Sequence, residues 1–487
     1  MCVADVDARQ RVDLIIRARY VCLVRPAAVL EHTSIVIDQG RIVDLLNNDD
    51  ERLRKYAPGS VEDLSRSHIV LPGLINAHTH LGMTNMRGLA DDLRLIDWLS
   101  KHVWPVELSL VDEQFCRDGA DLGIAEAIRS GTTCVNDMYF FPEATAASCD
   151  AAGIRAIGSV NAPLRRRRRL NHMHTVSGAV FDFPSPYGSG PEEYRTKGHK
   201  LHKQYAAHDR IRTAASAHAP YTCSDCVLET VAQDSTAFSI PIHVHLHETR
   251  AEVEDSHTLN RDSHLCHRSD QTCRPLANFH RLGLVTRRLV AVHMTHLNDQ
   301  EIDLLRQCNS SVVHCPSSNL KLASGFCPAY KLLAAGVNVA LGTDSSCSNN
   351  RLDMFAEMKL AALLAKGLSD DPSAIPAQTA LEMATINGAK ALGIENNVGS
   401  IECGKVADLI AVDSDCIGMT PMFDVVSHLV YAATGANVTH SWVNGKPILR
   451  GGHLLTLDES SIKARSAVWR KKIIEVQRQA SNEVPVA

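Results

Sequence analysis

Two histidines, His78 and His80, stand one residue apart at the end of an apolar run that covers residues 68–80. Successive side chains of a β-strand point to opposite faces, so the first and third residues of a triplet project to the same side. Imidazole is a common ligand of zinc and of other divalent metals. The pair therefore predicts half of a metal site, and the other half must come from elsewhere in the chain.

The elements that would position such a site form a regular series between about residues 70 and 400. Short apolar strands alternate with longer segments that carry apolar residues at helical spacing, which predicts parallel β/α units. Eight strand candidates occur, at residues 68–80, 131–138, 153–160, 212–220, 240–249, 288–297, 310–316 and 337–346. Eight such units predict an α/β fold, a (β/α)8 TIM barrel, whose active site lies where the strands end.

Further polar residues occupy the ends of three other predicted strands. They are His243, His245, His247 and Glu248 on the fifth strand, His293 and His296 on the sixth, and Asp344 on the eighth. A barrel brings these strand ends to one mouth, and three imidazoles with one carboxylate suit a divalent metal such as zinc or iron(II). By alternation alone, either His243 or His245 could be the ligand from the fifth strand. We interpret His296, and His314 at the seventh strand, as structural histidines.

The flanks of the barrel series have a different pattern. Residues 12–45 and 398–455 show the alternation and turns of antiparallel sheet, and Asn444-Gly445 is a strong hairpin signal. Each flank is too short for an independent β domain. We predict three parts, which are a composite β-sandwich domain from both termini at residues 1–69 with 399–460, a barrel domain at residues 70–398, and a C-terminal amphipathic helix at residues 461–487.

Two polar insertions interrupt the barrel series, at residues 163–178 and 257–273. The first contains five consecutive arginines, which could bind phosphate or RNA, although a solvated loop is preferred. The second contains His264, Cys266, His267 and Cys273, whose spacing fits no familiar structural zinc pattern. We therefore predict surface insertions, either of which could cover the mouth of the barrel as a lid.

The composition is that of an ordinary globular enzyme. The chain has 487 residues, of which 45% are hydrophobic and 22% charged, and its formal net charge is −5. This charge argues against nucleic-acid partners and acidic membrane surfaces, and no apolar run reaches the roughly 18 residues of a membrane span. The fifteen cysteines follow no disulfide framework, which predicts free thiols. Because the start of the chain also lacks the pattern of a secretory signal, we predict a cytoplasmic protein.

Seven stretches of the sequence resemble one known family. They are PGLINAHTHLGMTNMRGLADDL, HAPYTCSD, HVHLHETRAEV, VHMTHL, HCPSSNLKLASG, ALGTDSSCSNN and GSIECGKVADLIAVD. The pattern resembles the amidohydrolase superfamily and, within it, the 5-methylthioadenosine/S-adenosylhomocysteine deaminase group. The resemblance covers essentially the whole chain outside the two insertions and the final helix. It implies one divalent metal ion, zinc in preference to iron(II).

Carried over by motif, the resemblance also implies a role for each site residue. These are His78, His80, His245 and Asp344 as metal ligands, Glu248, His293 and Asp344 in catalysis, and Glu107, His218 and Glu248 in substrate binding. Glu248 would protonate the ring nitrogen beside the attacked carbon and then the departing amine. His293 would hold the attacking water, whose proton Asp344 would take. Glu107 would accept hydrogen bonds from ribose hydroxyls.

The implied reaction is hydrolytic deamination of an adenine ring to hypoxanthine with release of ammonia. The implied substrates are purine nucleosides, 5'-methylthioadenosine and S-adenosylhomocysteine, and we expect a homo-oligomer. The same residues would serve an s-triazine, pterin or guanine-type amidohydrolase, which only the substrate pocket would distinguish. A binuclear cyclic amidase would need a lysine on the fourth strand, and residues 212–220 contain none. A non-catalytic barrel scaffold would require the loss of a ligand or of the proton shuttle, and all are present.

Overall fold

The computed structural model of the chain describes residues 9–159, 177–178, 180–256 and 274–482. The predicted insertions at residues 163–178 and 257–273 lie outside the described residues, apart from Ser177 and Gly178. The described strands form two sheets, one from the middle of the chain and one from its two flanks.

The strands and helices alternate through the middle of the chain, as the sequence predicts. In chain order the strands are β1 (Gln10–Cys22), β2 (Val29–Asp38), β3 (Arg41–Asn47), β4 (Tyr56–Pro72), β5 (Leu74–Thr79), β6 (Thr132–Tyr139), β7 (Arg155–Ser159), β8 (Ser177–Gly178), β9 (Ile211–Ser216), β10 (Ile242–Leu246), β11 (Leu289–His293), β12 (Ser311–His314), β13 (Asn338–Leu341), β14 (Leu409–Asp413), β15 (Val438–Val443), β16 (Lys446–Arg450) and β17 (His453–Leu454). The α-helices are α1 (Leu95–Trp98), α2 (Trp104–Leu110), α3 (Glu113–Arg129), α4 (Pro142–Ala152), α5 (Pro191–Tyr205), α6 (Asp225–Phe238), α7 (Arg250–Glu254), α8 (Pro275–Arg281), α9 (Asp299–Gln307), α10 (Pro316–Lys321), α11 (Ala329–Ala334), α12 (Ser346–Asn349), α13 (Met354–Ser369), α14 (Ala377–Met383), α15 (Ile386–Ala391), α16 (Val425–Tyr431) and α17 (Glu459–Asn482).

The middle sheet is the predicted (β/α)8 barrel. Its strand order is β5-β6-β7-β9-β10-β11-β12-β13, with parallel pairing throughout, and the short β8 pairs with β6. Each of the eight strand candidates overlaps one of these strands. Thr79, the last residue of β5, bridges Asp344 just beyond β13, so the circle closes at the strand ends. Most barrel strands are buried along their whole length, because side chains fill the inside and helices cover the outside.

The first predicted strand is divided between the two sheets at Gly73. β4 pairs with β14 up to Pro72, and β5 begins at Leu74. A Cβ atom on Gly73 would lie 2.0 Å from the side chain of Thr133, so only glycine allows this approach of β4 and β5 to β6. The apolar pattern of the sequence continues across Gly73. For this reason the sequence predicts a single strand at residues 68–80, where the structure has the end of β4 and the whole of β5.

The second sheet is built from both flanks, as predicted. Its order is β17-β16-β15-β14-β4-β1-β2-β3, in which β1 and β4 are parallel and the other neighbours antiparallel. The N-terminal and C-terminal flanks therefore meet where β4 pairs with β14. Asn444 and Gly445 connect β15 to β16 with φ of 52° and 68°, the left-handed conformation of a tight hairpin. The domain limits at residues 70 and 398 stay a prediction.

The final helix, α17, packs against the barrel helix α3. The indole Nε1 of Trp469 donates to Asp118 at 2.8 Å, and its ring packs edge-on against Phe115 at 5.0 Å. Arg465 pairs with Asp118 and Asp121. The helix thus contributes apolar and ionic contacts to the outside of the barrel.

Two further sequence predictions concern the cysteines and the membrane. The cysteines within the described ranges are all free thiols. Among the described helices, none combines the length and the apolar character that crossing a bilayer requires.

Candidate active site

Four side chains converge at the carboxyl ends of β5, β10 and β13. They are His78, His80, His245 and Asp344, whose donor atoms all lie within 4.8 Å of one another. His245 Nε2 lies 3.2 Å from His78 Nε2 and 3.3 Å from His80 Nε2. Asp344 Oδ1 lies 3.2 and 3.1 Å from the same two atoms of His78 and His80. Three imidazole nitrogens and one carboxylate oxygen therefore point toward one position.

The outer nitrogen of two of these imidazoles shows where their protons lie. His80 Nδ1 donates to the carbonyl oxygen of Met138, and His245 Nδ1 donates to that of His218 at 2.7 Å. In the neutral form of both rings, the Nε2 atoms therefore carry the lone pairs, and these two atoms are only 3.3 Å apart. Facing lone pairs repel each other, and a cation between them would turn the repulsion into attraction. The donor set thus fits a divalent metal ion with nitrogen and oxygen preference.

Burial keeps two histidines of this group in the form that binds metal, whereas for His80 burial is outweighed by the hydrogen bond with Asp344, which raises its pKa. Burial lowers the pKa of His78 to about 4 and that of His245 well below its usual range, so both imidazoles are neutral at pH 7. Asp344 Oδ2 accepts hydrogen bonds from the hydroxyls of Ser318 at 2.5 Å and Ser348 at 3.0 Å. These donors favour the ionised carboxylate and leave Oδ1 directed at the histidines.

The backbone is strained at three of the strand ends. His247, His293 and Asp344 follow or end β10, β11 and β13 and adopt φ values of 53°, 76° and 62°. This left-handed conformation costs non-glycine residues of the order of 1–3 kcal/mol each, and such residues cluster at functional sites. The strain therefore coincides with the strand ends that carry the predicted site.

Glu248 and His293 lie beside the four-residue group. Both are buried, and Glu248 Oε2 lies 3.8 Å from His293 Nε2. Burial raises the pKa of Glu248, an effect that His293 partly opposes. A raised pKa makes this carboxyl group a more readily protonated group than an exposed glutamate, as a proton carrier requires. Glu252 holds the backbone here, because its carboxylate accepts the N–H groups of His247 and Glu248 at 2.7 and 2.8 Å.

A cavity of about 390 Å³ opens above these groups, within the range of small-molecule sites. Its polar base consists of His80, His245, Glu248, His293 and Asp344. Its wall is mainly apolar and aromatic and includes Leu95, Trp98, Leu99, Trp104, Phe181 and Phe183. The cavity therefore suits a small, largely apolar molecule with one polar end.

Glu107 is a buried carboxyl group in this otherwise apolar wall. It lies on α2, directly after a π-helical turn at Leu99–Val103, a feature frequent at functional sites. The hydroxyl of Tyr139 donates to Glu107 Oε1 at 2.8 Å. Burial raises the pKa of Glu107 to about 7. Glu107 can therefore accept further hydrogen bonds from a ligand with hydroxyl groups.

His218 also lines the cavity, as a neutral imidazole. Burial lowers its pKa to about 3, and its Nδ1 lies 3.0 Å from the hydroxyl of Thr222. Its ring packs against that of Phe181, with 4.8 Å between centroids. His218 thus presents an uncharged ring to a ligand.

The structure places every predicted site residue at this cavity. Seven of them line it, and His78 lies beneath it, fully buried. His245 rather than His243 belongs to the four-residue group, since His243 Nε2 lies 2.8 Å from the outer Nδ1 of His78. His296 contacts the carbonyl oxygen of Ser324 instead of the cavity.

The prediction missed residues that hold the site residues in place. Ser318 and Asn319 follow the seventh barrel strand, β12, and contact Asp344 and His293 at 2.5 and 2.8 Å. Both belong to the HCPSSN stretch of the sequence. The run of polar residues after a barrel strand could have indicated that they belong to the site. Their hydrogen-bond partners could not be predicted, because these depend on the path of the chain after the strand.

Comparison with known proteins identifies the family. A model described as the amidohydrolase family matches residues 69–448. The chain belongs to this family. The barrel and the flanking sheet of this chain fit the amidohydrolase fold. The resemblance to this family that was seen in the sequence is therefore confirmed.

Similar proteins cover nearly the whole length of this amidohydrolase. The 5-methylthioadenosine/S-adenosylhomocysteine deaminase of Saccharophagus degradans is 42% identical over 95% of this chain and 97% of its own. The 5'-deoxyadenosine deaminase of Methanosarcina acetivorans is 37% identical over 97% of this chain and 98% of its own. The crystal structure of an adenosine deaminase from Xanthomonas campestris with bound zinc is 43% identical, with a TM-score of 0.88 over 96% of this chain and 99% of that one. The chain is therefore a hydrolytic enzyme that acts on amidine groups and carries a divalent-metal site.

Proposed function

We propose that this amidohydrolase deaminates the adenine ring of 5'-methylthioadenosine and S-adenosylhomocysteine, leaving hypoxanthine and releasing ammonia. One observation carries the proposal: a single cavity contains the four-residue metal group, the Glu248–His293 pair beside it and the carboxyl group of Glu107 in its wall. The substrates named for the similar deaminases support the choice of an adenine nucleoside.

We propose that His78, His80, His245 and Asp344 hold one zinc ion. Such an ion, when bound, lowers the pKa of water and so supplies a nucleophile at neutral pH. The bound zinc in the similar adenosine deaminase supports this choice of metal. The fourth barrel strand, Ile211–Ser216, contains no lysine that could bridge a second metal ion, which favours a single one.

Glu248 is the proton carrier of the proposed reaction. It delivers a proton to the ring nitrogen beside the carbon that the water attacks, so that the carbon–nitrogen double bond opens to a single bond and this carbon becomes tetrahedral. Glu248 then takes up the remaining proton of the added hydroxyl group and passes it to the amine, so the carbon–nitrogen bond breaks and ammonia leaves instead of an amide ion. The other proton of the water, taken first by Asp344, returns Glu248 to its protonated form. The raised pKa of Glu248 supports this dual role. His293 orients the attacking water by accepting a hydrogen bond at Nε2.

Glu107 and the apolar wall recognise the rest of the nucleoside. Tyr139 engages one carboxylate oxygen of Glu107, and the other oxygen accepts hydrogen bonds from ribose hydroxyls. His218 packs close to the ribose. The aromatic and aliphatic side chains of the wall surround the sulfur-containing substituent, which is largely apolar.

Ammonia release from the zinc-loaded protein tests the proposed function. The compounds are 5'-methylthioadenosine, S-adenosylhomocysteine, 5'-deoxyadenosine, adenosine, guanine and an aminated s-triazine. We expect the two sulfur nucleosides to have the highest kcat/KM. Turnover of guanine or the triazine without any of the nucleosides would contradict the substrate, and two metal equivalents per chain would contradict the single zinc ion.

We further propose that the enzyme is a cytoplasmic homo-oligomer, as expected from the sequence. Sedimentation equilibrium of the metal-loaded protein measures the oligomeric state. A mass of one chain at micromolar concentration would contradict a homo-oligomer.

A further inference from the structure

We propose that Asn319 is a positioning residue that fixes the tautomer of His293, a role that rests on the proposed deamination. Asn319 lies on α10, directly after the seventh barrel strand. Its Oδ1 atom is 2.8 Å from His293 Nδ1, and both residues are almost completely buried. The contact lies on the side of the imidazole ring that faces away from Glu248.

The chemistry of the pair decides which nitrogen of His293 carries the proton. An amide oxygen only accepts hydrogen bonds, so Asn319 Oδ1 requires a proton on Nδ1 of the imidazole. A neutral ring then has a lone pair at Nε2, which lies 3.8 Å from Glu248 Oε2 at the base of the cavity. In the other tautomer, Nε2 would donate and could not accept the hydrogen bond of the attacking water.

Both partners lie on backbone segments with regular hydrogen bonds. The N–H of Asn319 donates to the carbonyl oxygen of Cys315 at 3.0 Å, and its carbonyl oxygen accepts from Ser324 at 2.9 Å. His293 has a left-handed backbone with φ of 76°. Both side chains are therefore carried by hydrogen-bonded backbone, Asn319 on α10 and His293 at the end of β11, where it pairs with Leu246 of β10.

The side chain of Asn319 makes no second hydrogen bond within the described part of the chain. Its Nδ2 atom is buried without a partner there. An unpaired buried amide nitrogen is costly, and a purely structural position would be filled more stably by an apolar side chain of the same shape. The contact with His293 is therefore the reason for an asparagine at this position.

The proposed role can be tested by replacing Asn319, because its side chain makes a single hydrogen bond among the described residues, the one to His293. A change in rate can then be assigned to the loss of that bond. Asn319→Leu has a similar shape and no acceptor, whereas Asn319→Asp keeps an acceptor for Nδ1. Leu320→Ala is the matched control, since Leu320 lies next to it on α10 and is exposed. Each variant is assayed for kcat, KM, metal content and thermal unfolding, with whichever compound the wild-type enzyme turns over.

We expect Asn319→Leu to lower kcat about 100-fold, the lower end of what a positioned acid–base group contributes, with KM and metal content within threefold of wild type. The kcat of Asn319→Asp should be at least tenfold higher than that of Asn319→Leu. The kcat of Leu320→Ala should equal that of wild type. A kcat of Asn319→Leu within threefold of wild type would overturn the proposal. So would equal losses in the Leu and Asp variants, or a loss that parallels the metal content.

The same assays separate this proposal from the substrate assignment. Turnover of another aminated ring instead of the nucleosides would contradict the proposed substrate, whereas the comparison of the Asn319 variants on that ring would still decide the role of Asn319.

Discussion

At the scale of single residues, the polar part of the site consists of buried ionisable side chains whose pKa values are shifted. Burial raises the pKa of Glu107 to about 7 and also raises that of Glu248, while it keeps His78 and His245 neutral. Such burial costs stability unless the charge is compensated, so natural sequences rarely place these groups inside without a function. The two carboxyl groups therefore make the sharpest tests of the proposed reaction.

Replacement of Glu248 by glutamine should abolish turnover and leave the metal bound. Glutamine has nearly the same shape as glutamate but cannot carry a proton, and a positioned acid–base group contributes about 10²–10⁴-fold to rate. Steady-state kinetics and metal analysis measure the two effects. Glu254→Gln is the control, because Glu254 is an exposed glutamate at the end of the next helix, α7. A rate for Glu248→Gln within tenfold of wild type would contradict the proton-carrying role.

Replacement of Glu107 by glutamine should weaken nucleoside binding. The hydrogen bond of a buried carboxylate with a ligand hydroxyl is worth about 1.5–3 kcal/mol, so KM should rise roughly 10- to 100-fold at pH 8. The exposed Glu113 provides the control variant Glu113→Gln. Equal KM values in the two variants would exclude Glu107 from substrate binding.

The same variant, Glu107→Gln, should weaken substrate binding but make the folded protein more stable than wild type at high pH. The pKa of Glu107 in the folded protein, about 7, lies above its usual value of 4.5. Its stabilising contribution is therefore fully present below pH 4.5 and is lost as the pH rises through 7. Since one pH unit corresponds to about 1.4 kcal/mol and the loss is complete above pH 7, wild type should lose about 2.5 kcal/mol relative to Glu107→Gln between pH 5 and pH 8. Urea unfolding at the two pH values measures this difference, and a constant difference would contradict it.

At the scale of elements, the ends of the barrel strands could be predicted because parallel strands of a closed barrel share one mouth. Period-two alternation placed His78 and His80 on one face, and the resemblance selected His245 over His243. The supporting contacts could not be predicted in this way. Ser318 and Asn319 on α10 reach Asp344 and His293 through contacts between residues that are 26 positions apart in the sequence. Apolar patterning likewise gave no sign of the change of sheet at Gly73.

The α10 segment should contribute to metal affinity through Ser318. Its hydroxyl donates to Asp344 Oδ2 at 2.5 Å, and Ser318→Ala leaves Ser348 as the remaining donor. Loss of such a supporting contact typically costs about 10- to 100-fold in metal affinity, so we expect about tenfold. Competition with a chelator measures the zinc dissociation constant. Ser317→Ala is the control, because this neighbouring hydroxyl bonds to Glu357 at 2.5 Å instead. Equal dissociation constants for the two variants would contradict the role of Ser318.

At the scale of the whole molecule, the barrel and the flanking sheet are joined by covalent continuity and by buried charge. β4 of the flanking sheet leads directly into β5 of the barrel through Gly73. Arg155 of barrel strand β7 pairs with Asp408, next to β14, through two bonds of 2.7 and 3.1 Å. Both side chains are about 95% buried or more. The flanking sheet therefore stabilises the barrel even though none of its described side chains lines the cavity.

Removal of the charge of Asp408 should destabilise the molecule far more than removal of an exposed charge. Asp408→Asn would leave the guanidinium of Arg155 buried without a counter-ion, which typically costs about 3–5 kcal/mol. Asp415→Asn is the matched control, because Asp415 pairs with Arg66 at 3.4 Å between side chains that are 60% and 90% exposed. An exposed pair of this kind contributes at most about 1 kcal/mol. The urea midpoint of unfolding should therefore fall strongly only for Asp408→Asn, while its kcat in the absence of urea should stay near that of wild type. Equal midpoints would show that the buried pair does not join the two sheets energetically, and a selective loss of kcat would indicate that Asp408 acts on the site instead.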